Sequence, residues 1–391
     1  MIRSLLQYAR YFTKARLSSE VWRVVNAQRK GIRPDRSINS VEALSAIADH
    51  FCRAQDHGGD DGLGSYHLIH GWGASYPETT GYIIPTLIGM AHHLEMPELI
   101  DRAIRAGDWL LSIQRADGGW QGGRVNENRP SIVFNTAQVI RGMIALHAST
   151  ADRKYLDPAM RAADWIVSVQ EANGAWQQHN FLQQARVYDT YVSAPLLHLH
   201  RVTGKDAYRS AALKNLEHVL TEQQPNGFFR NADNTIRHND RPITHTIAYT
   251  LDGLLGSYTF TQDQRYLAAV RKAADRLLEI FMRNGALHGR YDQDWNGSEH
   301  EITTGNAQLA IVWSRLKKIT GDERYAEAAQ KMVSRTIAIQ RTSENGPIGG
   351  RGAITGSFPL WGRYEKFAYP NWAQKYFADA ILAQEGIFIE A

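Results

Sequence analysis

The chain has 391 residues, 43% hydrophobic and 21% charged, a balance of ordinary globular proteins that excludes disordered and fibrous classes. Its 44 Lys and Arg against 40 Asp and Glu give a formal charge of +4 spread along the chain, and no basic run points to nucleic acid. One cysteine, Cys52, excludes intramolecular disulfides and multi-cysteine zinc sites; it sits in an apolar helical pattern that suits a small buried side chain.

The first residues, MIRSLLQYARYFTKAR, carry basic charge but no secretory apolar core. They read as a helix packed on the body of the protein or, alternatively, touching a membrane surface. No run is apolar enough to span a bilayer, and a cytoplasmic protein, at most peripheral to the inner membrane face, is expected. Residues 1–40 read as a helical extension and 41–391 as a single domain.

From residue 41 onward a phrase recurs: AGDWLLSIQRADGGW (106–120), AADWIVSVQEANGAW (162–176), NLEHVLTEQQPNGFF (215–229) and AADRLLEIFMRNGAL (273–287), with weaker copies at 47–62 and 335–350. The marker glycines, Gly59, Gly118, Gly174, Gly227, Gly285 and Gly346, lie 59, 56, 53, 58 and 61 residues apart. Each phrase predicts an amphipathic helix ending at its glycine. Between the phrases lie more apolar helical stretches, from GYIIPTLIGMAHHL to NWAQKYFADAILAQE. A helix apolar on most sides belongs inside. The pattern predicts an all-α, closed (α/α)6 toroid of six inner and six outer helices. It begins with an outer helix (41–55) and ends with an inner one (372–386), so that the two ends close the ring. Pro85 and Pro195 are expected to delay or kink two inner helices, and no useful strand pattern is present.

Inner-to-outer links such as TGKDAY and TGDERY are short, whereas outer-to-inner loops are long and rich in Gly, Trp and Arg. Long loops in a compact domain usually carry function. The inner helices begin at that same rim, where their N–H groups favour an anionic ligand. The polar groups at those starts are Tyr76, Glu78 and Thr79; Asn135; Asp189 and Tyr191; Thr244 and His245; Glu301, Thr303 and Asn306; and Lys366, Tyr369, Asn371 and Trp372. Asn135, Asp189 and Thr303 are equally suited to capping helices. Trp120, Trp176 and Phe229 recur in register and read as packing between repeats. Trp72, Trp295, Trp361 and Trp372 do not recur and are candidate ligand contacts. The rim arginines include Arg124, Arg129, Arg186, Arg230, Arg237, Arg241, Arg290, Arg351 and Arg363, and guanidinium forks suit carboxylates.

The residues Arg105, Ala106, Trp109, Leu110, Gln114, Gly118 and Trp120, and Arg161, Ala162, Trp165, Gln170, Gly174 and Trp176, resemble the QW repeat of triterpene cyclases and related toroids. That resemblance implies shape. The acidic D-x-D-D motif of those cyclases is missing, its nearest counterpart being Asp292-Gln293-Asp294-Trp295. With TTGY after YPE, THTIAYT, TTGNAQLAIVW and PNWAQKYFADA at inner-helix starts, residues 41–388 resemble bacterial toroid proteins encoded with exopolysaccharide and capsule genes. The architecture is similar, more distantly, to polysaccharide lyases, uronyl hydrolases, sugar 2-epimerases and glucuronyl C5-epimerases. The resemblance implies glycan processing.

Two chemistries fit the ring. Proton abstraction beside a uronate carboxylate, giving elimination or C5 epimerisation, needs His245 with Tyr249 or Tyr76 as base and acid. Asn135 or arginines such as Arg129, Arg241 and Arg290 would neutralise the carboxylate. Hydrolysis needs two carboxyl groups, drawn from Glu78, Asp189 and Glu301. The acid–base reading on an acidic saccharide is preferred on charge. A non-catalytic glycan-binding or assembly subunit is the alternative from another class. No cofactor is called for; His238, His288 and His300 are the histidines available should a metal bind.

Overall fold

The computed structural model describes residues 19–32, 38–235, 240–342 and 346–389. The basic N-terminal stretch, together with Arg237 and His238, lies outside them. A short helix α1 (Ser19–Arg29) precedes six outer helices: α2 (Ser40–Gly58), α4 (Glu98–Ser112), α6 (Arg153–Ser168), α8 (Asp206–Thr221), α10 (Gln264–Asn284) and α12 (Glu323–Ile339). Alternating with them are six inner helices: α3 (Pro77–His93), α5 (Val133–Thr150), α7 (Thr190–Thr203), α9 (Thr244–Thr261), α11 (Thr303–Thr320) and α13 (Asn371–Gln384). Each inner helix packs on the next, and α13 packs back on α3, so the ring is a closed (α/α)6 toroid. Among the described residues, no helix is long and apolar enough to cross a membrane.

Four of the six outer helices start on side-chain caps, α4 and α8 being the exceptions. Asn39 and Glu42 form a capping box on α2, and Asp152, Asp263 and Asp322 accept from the N–H groups of Lys154, Arg265 and Arg324. Helices α3, α5, α7, α9, α11 and α13 start without such caps. The capping role open to Asn135, Asp189 and Thr303 is therefore not used: Asn135 and Asp189 bond other side chains, and the Thr303 hydroxyl donates to the Thr355 carbonyl. Pro85 and Pro195 lie inside α3 and α7 and do not delay their starts.

The recurrent glutamine explains the repeat. Gln114 Nε2 donates to its own turn at Gly118 O (2.8 Å) and to Pro158 O on the next outer helix (2.9 Å). Gln170 bridges Gly174 O and Ala211 O, Gln223 bridges Gly227 O and Ala269 O, and Gln55 bridges Asp61 O and Arg102 O. Gln340 does the same across the seam, to Gly352 O and to Ala43 O of α2, both at 2.9 Å. The recurrent tryptophans pack within these joints: Trp120 and Trp176 are fully buried and donate to Leu110 O and Ile166 O.

The expectation that each phrase ends its helix at the glycine holds for Gly59 and Gly285, which are left-handed caps. Helices α4, α6 and α8 end earlier, and Gly118, Gly174 and Gly227 lie in the turn beyond. There φ is +91°, +87° and +87°, and a Cβ would come within 2.4–2.8 Å of the neighbouring outer-helix backbone. In the fifth repeat Phe281 stands in the glutamine's place, Gly285 has open space around it, and Tyr325 donates to Asp275 across that joint.

The strands are two-residue pieces in the loops of the broad rim. One pairs 66–67 with both 71–72 and 368–369, another pairs 301–302 with 357–358, so loops from both ends of the chain are tied together there. Val21, Val24 and Val25 of α1 pack on the same loops through Leu68, Leu360, Phe367 and Tyr369.

Replacing Gln340 by Ala removes two buried hydrogen bonds, to Ala43 O and Gly352 O, from the joint between the last outer helix and the first. The expected loss is about 2 kcal/mol of unfolding free energy, read as a lower denaturant midpoint at unchanged m-value.

Candidate functional site

A cavity of about 470 Å³ opens at the broad rim. Its floor and walls come from the starts of inner helices: Tyr76, Glu78, Thr79 and Tyr82 on α3, Phe134 and Asn135 on α5, His245 and Tyr249 on α9, and Trp372 on α13. Loops add Arg129, Asn180, Phe181, Tyr188, Asn234 and Thr235, and the segment Arg363-Tyr364-Glu365. A concave, aromatic-walled site with few convergent polar groups is the usual form of a small-ligand pocket.

Glu78 is 8% exposed. Asn135 Nδ2 donates to its Oε2 at 2.6 Å, and Tyr76 also hydrogen-bonds its carboxyl. Burial pushes this carboxyl up to about 7, with the Tyr76 hydrogen bond pulling the other way. The carboxyl group can therefore carry a proton near neutral pH.

His245 is equally enclosed, and burial lowers it to about 4 against the opposing bond to Gln308, so the ring is neutral at pH 7. Its Nδ1 lies 2.6 Å from Gln308 Oε1. With the amide in that orientation Nδ1 carries the proton and Nε2 is left as an acceptor. Its ring lies 4.4 Å from that of Tyr249, which continues into a packed group with Tyr191 and Tyr376. Beside it, the Tyr364 ring lies 5.8 Å from His245, and the Trp372 indole donates to the Tyr364 hydroxyl at 2.9 Å and meets Tyr76 edge-on.

Two more carboxyls are displaced upward. Asp189 is fully buried behind Asn180, which lines the cavity and donates to its Oδ2 at 2.7 Å; burial carries Asp189 to about 7, offset by that bond and by Arg186. Glu365 lines the cavity itself at φ +44°, and desolvation raises its carboxyl while Arg124 opposes the shift. Among the described residues, no three His, Cys, Asp or Glu side chains converge where a metal ion could sit.

Over residues 77–284, more than half of its length, the chain matches the model of the β-L-arabinofuranosidase GH127 catalytic domain. It belongs to that family. The model of glycosyl hydrolase family 47 matches residues 238–355. No curated protein sequence matches. Among solved structures, the chain is similar to an unsaturated glucuronyl hydrolase specific for heparin, at TM-score 0.69 and 14% identity over 90% of this chain and 99% of that one. It is also similar to the unsaturated glucuronyl hydrolase of Bacillus sp. GL1 (TM-score 0.69, 14% identity, 88% and 96% covered). A third likeness is to cellobiose 2-epimerase from Bacillus thermoamylovorans (TM-score 0.69, 12% identity, 92% and 99% covered). At these identities the likeness is one of fold. Family membership makes the protein a carbohydrate-active enzyme, which sets aside the non-catalytic assembly subunit.

Of the residues singled out from the sequence, the structure gathers Tyr76, Glu78, Thr79, Arg129, Asn135, His245, Tyr249, Arg363 and Trp372 around the cavity. The others sit elsewhere. Glu301 is held by both Arg335 and Asn306 Nδ2. Trp72 packs against His50, His57 and Tyr66, and Trp295 is buried against Phe228 with its N–H on Asn226 O. Trp361 packs on the α1 cluster, and the Lys366 backbone meets His67.

The rim arginines are spent on internal carboxylates: Arg241 on Asp292, Arg290 on Asp233 and Glu299, Arg129 on Glu127, Arg230 on Glu222 and Arg363 on Glu299. The Arg290 guanidinium also holds Thr235, so it shapes one wall from behind. Glu365, Asn180, Phe134, Tyr188 and Tyr82 were not singled out. They lie in irregular loops or look like ordinary core, and only the tendency of charge in the long last loop to be functional could have marked Glu365.

The displaced Glu78 carboxyl has a consequence for stability. A carboxyl raised from 4.5 to about 7 on folding stabilises the native state fully below pH 4.5, and this contribution is lost as pH rises through 7. Glu78→Gln removes that dependence, while His245 and Asp189 are common to both proteins and cancel. The variant is therefore expected to gain stability relative to the parent between about pH 4.5 and 7, by on the order of 1–3 kcal/mol, measured by denaturant melts at each pH.

Proposed function

We propose that the bowl hydrolyses a glycosidic bond at the end of a saccharide chain, with Glu78 as the general acid that protonates the departing oxygen. The observation that carries this reading is the Glu78 carboxyl, buried at the floor, braced by Asn135 and Tyr76 and raised to about 7, so that it holds a proton where most carboxyls have lost theirs. Hydrolysis needs a second carboxyl group to activate water or attack the sugar. Glu365, on the mouth side of the same cavity, takes that role in place of Glu301, which Arg335 occupies. Trp372, Phe134 and Tyr188 supply flat apolar faces for the sugar ring. The closed floor of tyrosines supports action at a chain end.

A second reading rests on His245. An imidazole anchored through Nδ1, with Nε2 free to accept and Tyr249 stacked beside it, suits proton transfer at a sugar carbon, that is, elimination or C5 epimerisation. Such chemistry on a uronate needs a cation or donor for the carboxylate. Asn135 is engaged with Glu78, and Arg129 and Arg363 are paired with glutamates, which is why hydrolysis is favoured and an acidic substrate is not required. A place in bacterial polysaccharide biosynthesis at the cytoplasmic membrane face belongs to the same proposal. The resemblance to exopolysaccharide-associated toroids supports it.

The test is reducing-end release from a panel of L-arabinofuranosides, other oligosaccharides and unsaturated uronyl disaccharides, run in parallel with deuterium uptake from heavy water. Glu78→Gln is expected to lower kcat/KM by about 10²–10⁴-fold on natural-type linkages and by much less on aryl glycosides whose leaving group needs no proton. Equal losses on both substrates, or deuterium incorporation without bond cleavage, would transfer the chemistry to His245.

A further inference from the structure

Below the tyrosine floor, on the barrel axis, lies a second and enclosed void of about 10 Å³, room for one water-sized particle. Tyr82 lines both spaces, so a single layer of rings separates them. The lower void is lined by three cations, Arg141, Arg315 and Lys375, and two anions, Asp252 and Asp379. Two pairs are made: Lys375 Nζ to Asp379 Oδ2 at 2.7 Å and Arg315 Nη1 to Asp252 Oδ1 at 3.1 Å. Thr86 donates to the other oxygen of Asp379, and Arg315 also donates to Ile389 O.

Arg141 is left over. It is 5% exposed, stacks 4.0 Å above the Tyr191 ring, and donates Nε to Gln138 and Nη2 to Tyr191 O. Its Nη1 is buried with no partner. An uncompensated guanidinium in the interior is expensive, and an unused N–H aimed at a void adds to that cost. Burial also raises the Asp379 carboxyl, which makes the local excess of positive charge larger, not smaller.

We propose that this void is a binding site for one monovalent inorganic anion of halide size, held between Arg141 Nη1 and the Lys375 and Arg315 cations and neutralising the charge excess of the inner barrel. The anion lies on the opposite side of the tyrosine layer from the sugar bowl and takes no part in bond cleavage. Its role is to hold α5, α11 and α13 together where their charged side chains meet, and the inference stands independently of the glycosidase reading.

The experiment compares thermal unfolding in sodium chloride, bromide and gluconate at equal ionic strength, alongside crystals grown in bromide and measured at the bromine absorption edge. The expected results are a melting temperature about 3 °C higher in halide near saturation and an anomalous peak within contact distance of Arg141 Nη1. Arg141→Gln, if it folds, should lose the halide preference. Identical melting in all three salts, with density in the void that refines as water, overturns the proposal. A bromide peak without halide-specific stabilisation, an adventitious ion only, overturns it as well.

Discussion

One side-chain amide, repeated around the ring, sets the geometry on which everything else rests. In each of five repeats a glutamine at the end of an outer helix donates one proton to its own turn and the other to a carbonyl of the next outer helix. The turn glycine of the joint, Gly118, Gly174, Gly227 or Gly352, lies against the neighbouring helix backbone in four of these repeats and leaves no space for a Cβ. Such joints fix the angle between successive hairpins, and Gln340 meeting Ala43 is where that angle closes the circle. A closed circle directs the starts of the inner helices to one mouth.

Closure also creates the low-polarity floor. Tyr82, Tyr191, Tyr249 and Tyr376, brought from four inner helices, pack into a continuous layer. That layer excludes water from beneath Glu78 and His245 and moves them in opposite senses, the carboxyl toward its protonated form and the imidazole toward its neutral one. Both shifts favour the uncharged species, so the bowl offers a proton donor and an acceptor without a net ionic charge at its base. The ionic groups of the axis lie below the rings, in a separate layer, where Lys375 and Arg141 sit against the undersides of Tyr376 and Tyr191.

Much of this architecture was legible in the sequence because its causes are local and repeated. Helix periodicity, the Asn-Gly and Asp-Gly stops and the recurring Gln and Trp all report on a neighbour one repeat away. The site was legible only where it sits on a regular element. Glu78, Asn135, His245 and Tyr249 occupy the first two turns of inner helices, and their position on the ring could be counted. Glu365 and Asn180 lie in irregular loops whose path no periodicity predicts. Charge was misleading for a related reason: the loop arginines look available in one dimension, yet Arg290 finds Asp233 only after the chain has travelled 57 residues. At the start of α11, Glu301 accepts from Asn306 and Arg335 and does not line the bowl.

The account turns on the protonation state of Glu78 in the folded protein. The most direct measurement is a ¹³C NMR titration of glutamate side-chain carboxyls, with the Glu78 resonance assigned by its disappearance in Glu78→Gln. A midpoint near pH 7 is predicted; a midpoint close to the ordinary 4.5 would contradict the account, because a carboxylate already ionised at neutral pH could not act as its acid.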